Sequence, residues 1–380
     1  MPYGELMLMD KVETKETTSE IERVSSKPEA TQKPWFYMAM SPEGTIFKGD
    51  AEPAKGFLEM LGGATIGWVD YYVTEAIDFE KEALTAATQL GFSYQLVSYL
   101  TSQALSTYQD FDTEMGMKIP TIQVTQLEVE PYPLLLLLRK NFILTIHPLS
   151  VDRRFVRLRR YSETILKKIP VDANAQDKLT MLLMRLVDEN NDWNFEHLRE
   201  IEERGDELNK LMTDYSAPRA ELAPKIYQMK HALIIYLNAL WDAIHVIHNL
   251  RYGDAELITD DPKLLDKLSI LAEDVNRQIG LGEHMSEVLA SGLEVLQSIY
   301  NNQLQVLNNR LALLMTYLTI IGSAVLIPNT LATMLSNPVF VLSPKDQIWY
   351  WPLMIGATAI GTFLTYWWVK RQGWIPKKMD

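Results

Sequence analysis

The sequence contains no cysteine among its 380 residues. Disulfide bonds, thiolate metal sites and cysteine nucleophiles are therefore excluded. The apolar stretch of a signal peptide is also missing from residues 1–33, where Asp, Lys, Glu, Thr and Ser recur throughout. We expect residues 1–33 to form a flexible tail and the charged part of the chain to remain in the cytoplasm.

Basic residues are also fewer than acidic ones. The net charge of −13 argues against a nucleic-acid partner, because binding to phosphates requires a basic face. An acidic body attracts cations, although acidity also serves simply to keep a large domain soluble. Phosphate-binding glycine loops, nucleophile elbows and zinc-protease motifs do not occur, so the sequence predicts neither an enzyme nor an organic cofactor.

Charged residues almost disappear near the end of the chain. The segments Leu311–Leu335 and Ile348–Val369 contain none, and each reaches the ~20 residues that a helix needs to cross a bilayer. Tryptophans, whose indole rings favour the headgroup layer, lie at both ends of the second segment. They are Trp349, Trp351, Trp367 and Trp368. We predict two membrane spans within residues 311–369.

Basic residues flank both predicted spans. Arg310 precedes the first span, and Lys370, Arg371, Lys377 and Lys378 follow the second. By the positive-inside rule, both termini are cytoplasmic and the loop at 336–347 lies outside. We therefore predict a multi-pass protein of the plasma membrane, in contact with lipid, that ends in a basic cytoplasmic tail at 370–380.

Residues 34–150 have the pattern of a cytoplasmic α/β domain. Strand-like runs occur at Thr65–Asp70, at Thr121–Val124 and at Pro133–Pro148, where Arg139-Lys140-Asn141 divides the run into the two strands of a hairpin. Helical stretches at Asp78–Leu90 and Tyr94–Ser106 lie between these runs.

Residues 151–310 form a predicted helical domain. Its first helix carries five arginines, which we interpret as a solvated face, with anion binding as the alternative. They are Arg153, Arg154, Arg157, Arg159 and Arg160. Two further helices are predicted at Asp177–Met212 and Tyr227–Leu250, with the helical pattern interrupted by Pro218 and Pro224 before the second of them.

A stalk helix is predicted after Pro262. Apolar residues keep helical spacing, and no other proline occurs before Pro328. Roughly 70 residues at 1.5 Å each would make a rod of about 100 Å. Because no helix-breaking residue separates this rod from the first span, we expect it to couple the cytoplasmic body to the membrane.

One face of this rod has the composition of a pore lining. It comprises Asn301, Leu304, Asn308, Ala312, Met315, Leu318 or Thr319, Gly322, Leu326, Thr330, Thr333 and Asn337. Neutral Asn and Thr oxygens can hold the water shell of a hard cation such as Mg²⁺. Met315, Leu318 and Leu326 would form an apolar constriction that closes by dewetting. The alternative is a packed bundle whose Thr hydroxyls bond to their own helix.

Three groups of residues, in order along the chain, carry a resemblance to a known family. They are Trp68–Asp70, Phe142–His147, and Asn309–Leu311 with Met315, Leu318–Ile321 and Pro328. They resemble an early strand, the last strand of the N-terminal domain, and the junction of stalk and first span in the CorA superfamily of divalent metal-ion transporters. The resemblance covers nearly all of residues 34–375.

The resemblance implies a homopentamer in which the first span of each subunit lines a central pore. It also implies a funnel-shaped body with willow-like helices at Asp177–Leu211 and Tyr227–Leu250. Divalent cations, Mg²⁺ or another, would be the substrate and also regulators that bind between subunits and hold the pore closed. Our candidates for regulatory ligands are Glu273 and Asp274 of the stalk, facing Glu128 or Glu130 of a neighbour. Ordinary solvated acids are the alternative.

The sequence departs from this family at the outer mouth of the pore. The family ends its first span with Gly-Met-Asn, whereas Leu335-Ser336-Asn337-Pro338 stands here. Ala312 and Asn301 replace a pore Asn and an acidic residue. We predict a channel or transporter of divalent cations, Mg²⁺ first, gated by the cytoplasmic domain. The alternatives are a weakly conducting or non-conducting sensor or scaffold, and a proton-coupled transporter of Zn²⁺, Co²⁺ or Ni²⁺.

Overall fold

The computed structural model describes residues 34–50, 55–74, 78–103, 106–213, 219–252, 255–337 and 343–372. The chain divides into two units, Met1–Leu289 and Ala290–Asp380. The predicted tail at 1–33, part of the predicted outer loop and the end of the basic tail lie outside the described residues.

The first unit contains a seven-stranded sheet. Its strands are β1 (Trp35–Met40), β2 (Ile46–Gly49), β3 (Ile66–Val73), β4 (Thr107–Asp110), β5 (Glu114–Thr125), β6 (Glu128–Arg139) and β7 (Phe142–Pro148). The strand order is β2-β1-β3-β7-β6-β5-β4. β3 and β7 pair in parallel, and the other neighbours are antiparallel. The predicted α/β class and the β6–β7 hairpin are confirmed, although β6 begins at Glu128 instead of Pro133.

Three helices lie between strands of the sheet, and the others follow its last strand. They are α1 (Lys55–Gly63), α2 (Phe79–Gln89), α3 (Tyr94–Ser102), α4 (Asp152–Lys167), α5 (Ala175–Thr213), α6 (Arg219–Tyr252), α7 (Pro262–Leu335) and α8 (Gln347–Arg371). The third helix is shorter than predicted, because the backbone at Gln103 is already extended. The stalk helix is confirmed as one element of 74 residues that contains Pro328.

The sheet is covered on both faces, which explains the leucine run of β6. Leu134–Leu138 are all fully buried, as expected for a strand that lies between two layers of helices. Leu135 and Leu137 belong to a core formed with α2 and α3. The helices α4, α5 and α6 contact the strands of this sheet as a second layer.

Pro224 does not interrupt the helical pattern, contrary to our prediction. It lies inside α6, near the helix N-terminus. A proline there removes one backbone hydrogen bond, the one that its N–H would have made four residues back. The rest of the helix is secured by packing, since Ile226, Met229 and Leu233 are buried. Pro218 lies outside the described residues.

Candidate functional site

Three helices in the described part of the chain are long and apolar enough to cross a membrane. They occupy Leu222–Tyr252, Pro262–Leu335 and Pro344–Arg371. In the first, half of the apolar window is buried within the protein, where α6 packs against β5 and β6. In the other two, only 6% of the window is buried. The protein core therefore accounts for the apolar character of α6, but not for that of α7 and α8.

Within the second unit, α8 contacts one face of α7. Gly361 lies so close to Ile327 that a β-carbon at this glycine would overlap the isoleucine side chain. Small residues allow membrane helices to approach closely in this way. Ile327 continues a stripe of buried and half-buried residues on α7 that recurs every three or four positions. The others are Leu313, Thr316, Ile320 and Ala324.

The predicted pore-lining residues lie on a different face of α7, because each residue advances the helix by about 100°. All are exposed except the half-buried Gly322: Asn301, Leu304, Asn308, Ala312, Met315, Leu318, Leu326, Thr330, Thr333 and Asn337. Met315 is 68% exposed and Leu326 is 62% exposed. Asn337 lies beyond the end of the helix, and its backbone N–H donates to the Met334 carbonyl at 3.3 Å.

The threonine hydroxyls of this segment bond to their own helix. Thr330 donates to the Leu326 carbonyl and Thr333 to the Asn329 carbonyl, both at 2.8 Å. Likewise, Thr316 and Thr319 each donate to the backbone carbonyl four residues earlier in α7. A hydroxyl whose proton is committed in this way presents only lone pairs to its surroundings. Lone pairs can accept hydrogen bonds from the water shell of a cation. The bonds of these threonines to their own helix are therefore compatible with both a pore lining and a packed bundle.

An acidic cluster joins α5 to the first part of α7. Asp188 and Asp274 line a cleft of about 690 Å³ between α4, α5 and α7. Burial and then the charge of Asp192 raise the pKa of Asp188, against the opposing charge of Arg185. Burial and then the negative charge of Glu189 raise the pKa of Asp192. The charge of Asp274 adds to the rise in the pKa of both Asp188 and Asp192. These carboxylates therefore repel one another at neutral pH.

Sequence reasoning missed the partners of Asp274 in this cluster. Asp188 and Asp192 are four residues apart and so share a face of α5, which is the signal that could have found them. Of our regulatory candidates, Glu273 is exposed, whereas Asp274 is half-buried and pairs with Arg277 at 3.0 Å.

The other two regulatory candidates lie elsewhere. Glu128 and Glu130 of β6 line a second cleft of about 820 Å³, beside Arg204 and Lys225. Glu130 accepts a hydrogen bond from the Tyr132 hydroxyl at 2.5 Å. Within one subunit the structure does not bring them to Asp274, and their predicted role across a subunit boundary stays a prediction.

A buried charge cluster links the first two sequence motifs. Asp70 of β3 and His147 of β7 are fully buried, with His147 Nε2 3.3 Å from Asp70 Oδ1 and 3.9 Å from Asp152 Oδ1. Trp68 Nε1 donates to Thr145 Oγ1 at 3.0 Å, and that threonine donates to Asp70.

Arg159 fills the position between the two carboxylates of this cluster. Its Nε donates to Asp70 and its Nη2 to Asp152, both at 2.6 Å. Burial alone would raise the pKa of Asp70, but Arg159, followed by His147, outweighs it and lowers that pKa to about 2. Asp70, His147 and Asp152 are close enough to ligate a metal ion, but the guanidinium already provides the cation. The arginines of α4 are thus not all solvated, contrary to our interpretation.

An α/β domain followed by long helices with exposed apolar windows is an architecture that membrane proteins can have. A family model described as "CorA-like Mg2+ transporter protein" matches residues 63–371. The chain therefore belongs to this family of divalent-cation transporters, which are membrane proteins. No curated protein matches the sequence.

Solved structures show the same fold. The CorA magnesium transporter from Methanocaldococcus jannaschii is 17% identical, with a TM-score of 0.66 over 90% of this chain and 98% of that one. The full-length CmaX protein is 14% identical, with a TM-score of 0.57 over 90% and 99%. The ZntB cytoplasmic domain from Vibrio parahaemolyticus is 12% identical, with a TM-score of 0.51 over 70% and 98%.

Proposed function

We propose that the protein conducts a divalent cation through a pore lined by the exposed face of α7 from five subunits. Mg²⁺ is our first candidate for this cation. The observation that carries this proposal is the division of α7 into two faces. One is half-covered and meets α8 at Gly361, while the other exposes Met315, Thr330 and Thr333. Family membership supports the same function.

In this proposal, the apolar parts of α7 and α8 are the two membrane spans. Removing apolar surface from water is worth about 25 cal/mol per Å², and large side chains such as Leu314, Ile321 and Phe363 are well exposed. Before α8, Asp346 accepts a hydrogen bond from Trp349 Nε1 at 3.0 Å. This pair suits the membrane–water boundary outside the cell, with both termini in the cytoplasm.

The proposed lining suits a cation that keeps part of its water shell. Its polar groups are neutral, and the hydroxyls of Thr330 and Thr333 offer acceptors to that water. A divalent ion would gain roughly 4–5 kcal/mol from a membrane potential of about 100 mV. The side chains of Met315, Leu318 and Leu326 supply an apolar gate. Gating by α7 is part of the proposal, and it is supported by a single helix that begins in the first unit and ends in the second.

Flux into liposomes tests this function. Purified protein is reconstituted, and entry of Mg²⁺, Zn²⁺, Co²⁺ and Ni²⁺ is measured against empty vesicles. The proposal expects faster entry of at least one ion, with Mg²⁺ foremost. Since Asn337 lies beyond α7 and the Gly-Met-Asn signature is absent, a non-conducting sensor is the second candidate. Entry no faster than in empty vesicles would favour the sensor.

We also propose that a divalent cation binds the acidic cluster of Asp188, Asp192 and Asp274 and acts as a regulator. Carboxylate oxygens are the ligands that Mg²⁺ prefers. Burial, together with repulsion between the acids, raises the pKa values of Asp188 and Asp192, so a bound cation would stabilise their charged forms. A cation there would connect α5 to α7, the helix that we assign to the pore.

Replacing both Asp188 and Asp192 by Asn should abolish stabilisation by Mg²⁺. We expect Mg²⁺ to raise the melting temperature of the wild type by about 2–4 °C, and the double variant to melt higher than wild type without Mg²⁺, because the repulsion is gone. The matched control is Glu203→Gln, at an exposed position of α5. An undiminished Mg²⁺ effect in the double variant would refute this site.

The Mg²⁺ effect should also depend on pH. The folded carboxyls have pKa values above the ordinary 3.8, so the folded protein takes up protons before the unfolded chain does. Their repulsion therefore costs stability at neutral pH and is relieved as the pH falls toward 3.8. Protons and Mg²⁺ compete for the same oxygens, and the rise in melting temperature should shrink on acidification.

A further inference from the structure

Arg154 of α4 is a buried cation for which the described residues supply no counter-ion. Its side chain is only 4% exposed. Nη1 donates to the side-chain carbonyls of Asn190 at 3.3 Å and Asn194 at 3.1 Å. Among the described residues, no Asp or Glu forms an ion pair with it. Buried charges in proteins are almost always paired, because an isolated charge is very unfavourable in a low-dielectric interior.

Unpaired N–H groups accompany this arginine. Within the described chain, the buried donors that have no hydrogen-bond partner include Arg154 Nη2 and three on α5: Trp193 Nε1, Asn194 Nδ2 and Asn191 Nδ2. The guanidinium lies over the Trp193 ring at 5.9 Å, and Asn194 bonds to it directly. Buried donors without acceptors are rare and costly. A positive charge together with several unused donors calls for a ligand that is negative and accepts hydrogen bonds.

Among the described neighbours of Arg154, no side chain supplies that negative charge. The Tyr236 hydroxyl donates to the backbone carbonyl of Asn194 at 2.9 Å, and burial raises the pKa of this phenol. Burial, followed by the charge of Arg154, lowers the pKa of His197 to about 4, so this imidazole is neutral at pH 7. Glu189 is committed to Arg185 at 3.0 Å and Arg157 at 3.5 Å. The charge of Arg154 therefore remains uncompensated.

We propose that Arg154, Trp193 and Asn194 bind a small inorganic anion inside the first unit. Arg154 and Asn194 are buried and Trp193 is half-buried, which favours an ion of the size of chloride over a large ligand. The anion would neutralise Arg154 where α4, α5 and β5 meet, since Asn194 also accepts the backbone N–H of Ile122 at 3.1 Å. The stability of this unit then depends on the anion, independently of any ion flux through the membrane.

Thermal unfolding of the full-length protein in detergent tests this site. The melting temperature is compared in sodium gluconate and in sodium chloride at the same ionic strength. Chloride should raise it by about 2–4 °C in the wild type, and Arg154→Met should lose this rise. Arg153→Met is the matched control, because Arg153 is exposed on the same helix and its variant should keep the rise.

No chloride effect in the wild type, or an equal effect in Arg154→Met, would overturn the proposal. Should Arg154→Met fail to fold, bromide in crystals of the wild type decides the question. A bromide peak in anomalous scattering beside Arg154 Nη2 supports the site. Its absence there, with water or nothing in its place, refutes it.

Discussion

Met315→Gly should increase the flux of divalent cations through the reconstituted protein by about tenfold or more. Met315 is 68% exposed on the face of α7 that we assign to the pore. In the proposed pentamer, five such side chains around the axis would form an apolar ring that excludes water. Removing them widens the ring, and each ~1.4 kcal/mol taken from the barrier raises the rate about tenfold.

Leu314→Gly is the control for this prediction. Leu314 is 58% exposed and adjacent in sequence, but its side chain lies about 100° around the helix from that of Met315. Both variants introduce glycine into the same helix and share its cost of about 1 kcal/mol in helix propensity. Equal fluxes in the two variants would show that Met315 does not form the constriction.

Arg159→Met should destabilise the first unit by about 3–5 kcal/mol. The change leaves the carboxylates of Asp70 and Asp152 buried without the guanidinium that bonds to both at 2.6 Å. Methionine keeps much of the apolar volume of the arginine stem, so the loss reports mainly on the charge. The melting temperature of purified variants measures the effect.

Arg160→Met serves as the control, because Arg160 is the next residue on α4 and is exposed. It should melt close to the wild type, whereas similar melting of both variants would contradict the structural role of Arg159. The pH dependence follows from the pKa of Asp70, which is lowered from 3.8 to about 2. Its stabilising contribution is complete above the ordinary value and is lost as the pH falls through about 2.

The long helix and the central hairpin could be predicted from the sequence, because both depend on local patterns. An absence of proline between Pro262 and Pro328 was enough to define α7 as one element. The leucine run divided by Arg139–Asn141 was enough to define β6 and β7. Family motifs added the identity of the strands that carry Asp70 and His147.

The buried contacts of α4 could not be predicted in the same way. Arg154 and Arg159 look like members of a solvated basic face, because helical periodicity does not show which polar side chains meet a partner from a distant strand. Arg159 meets Asp70, which is 89 residues away along the chain. The cluster of Asp188 with Asp274 has the same origin, since only the packing of α5 against the start of α7 creates it.

The central claim is that one face of α7 borders a water-filled ion path. Because the chain contains no cysteine, a single introduced cysteine is the only thiol, and its reaction with a small, water-soluble cationic reagent reports on access to water. We predict fast reaction and blocked flux for Met315→Cys and Thr330→Cys in proteoliposomes, and slow reaction for Ile320→Cys and Ile327→Cys. Equal reactivity at all four positions, or faster reaction at the two isoleucine positions, would contradict the account.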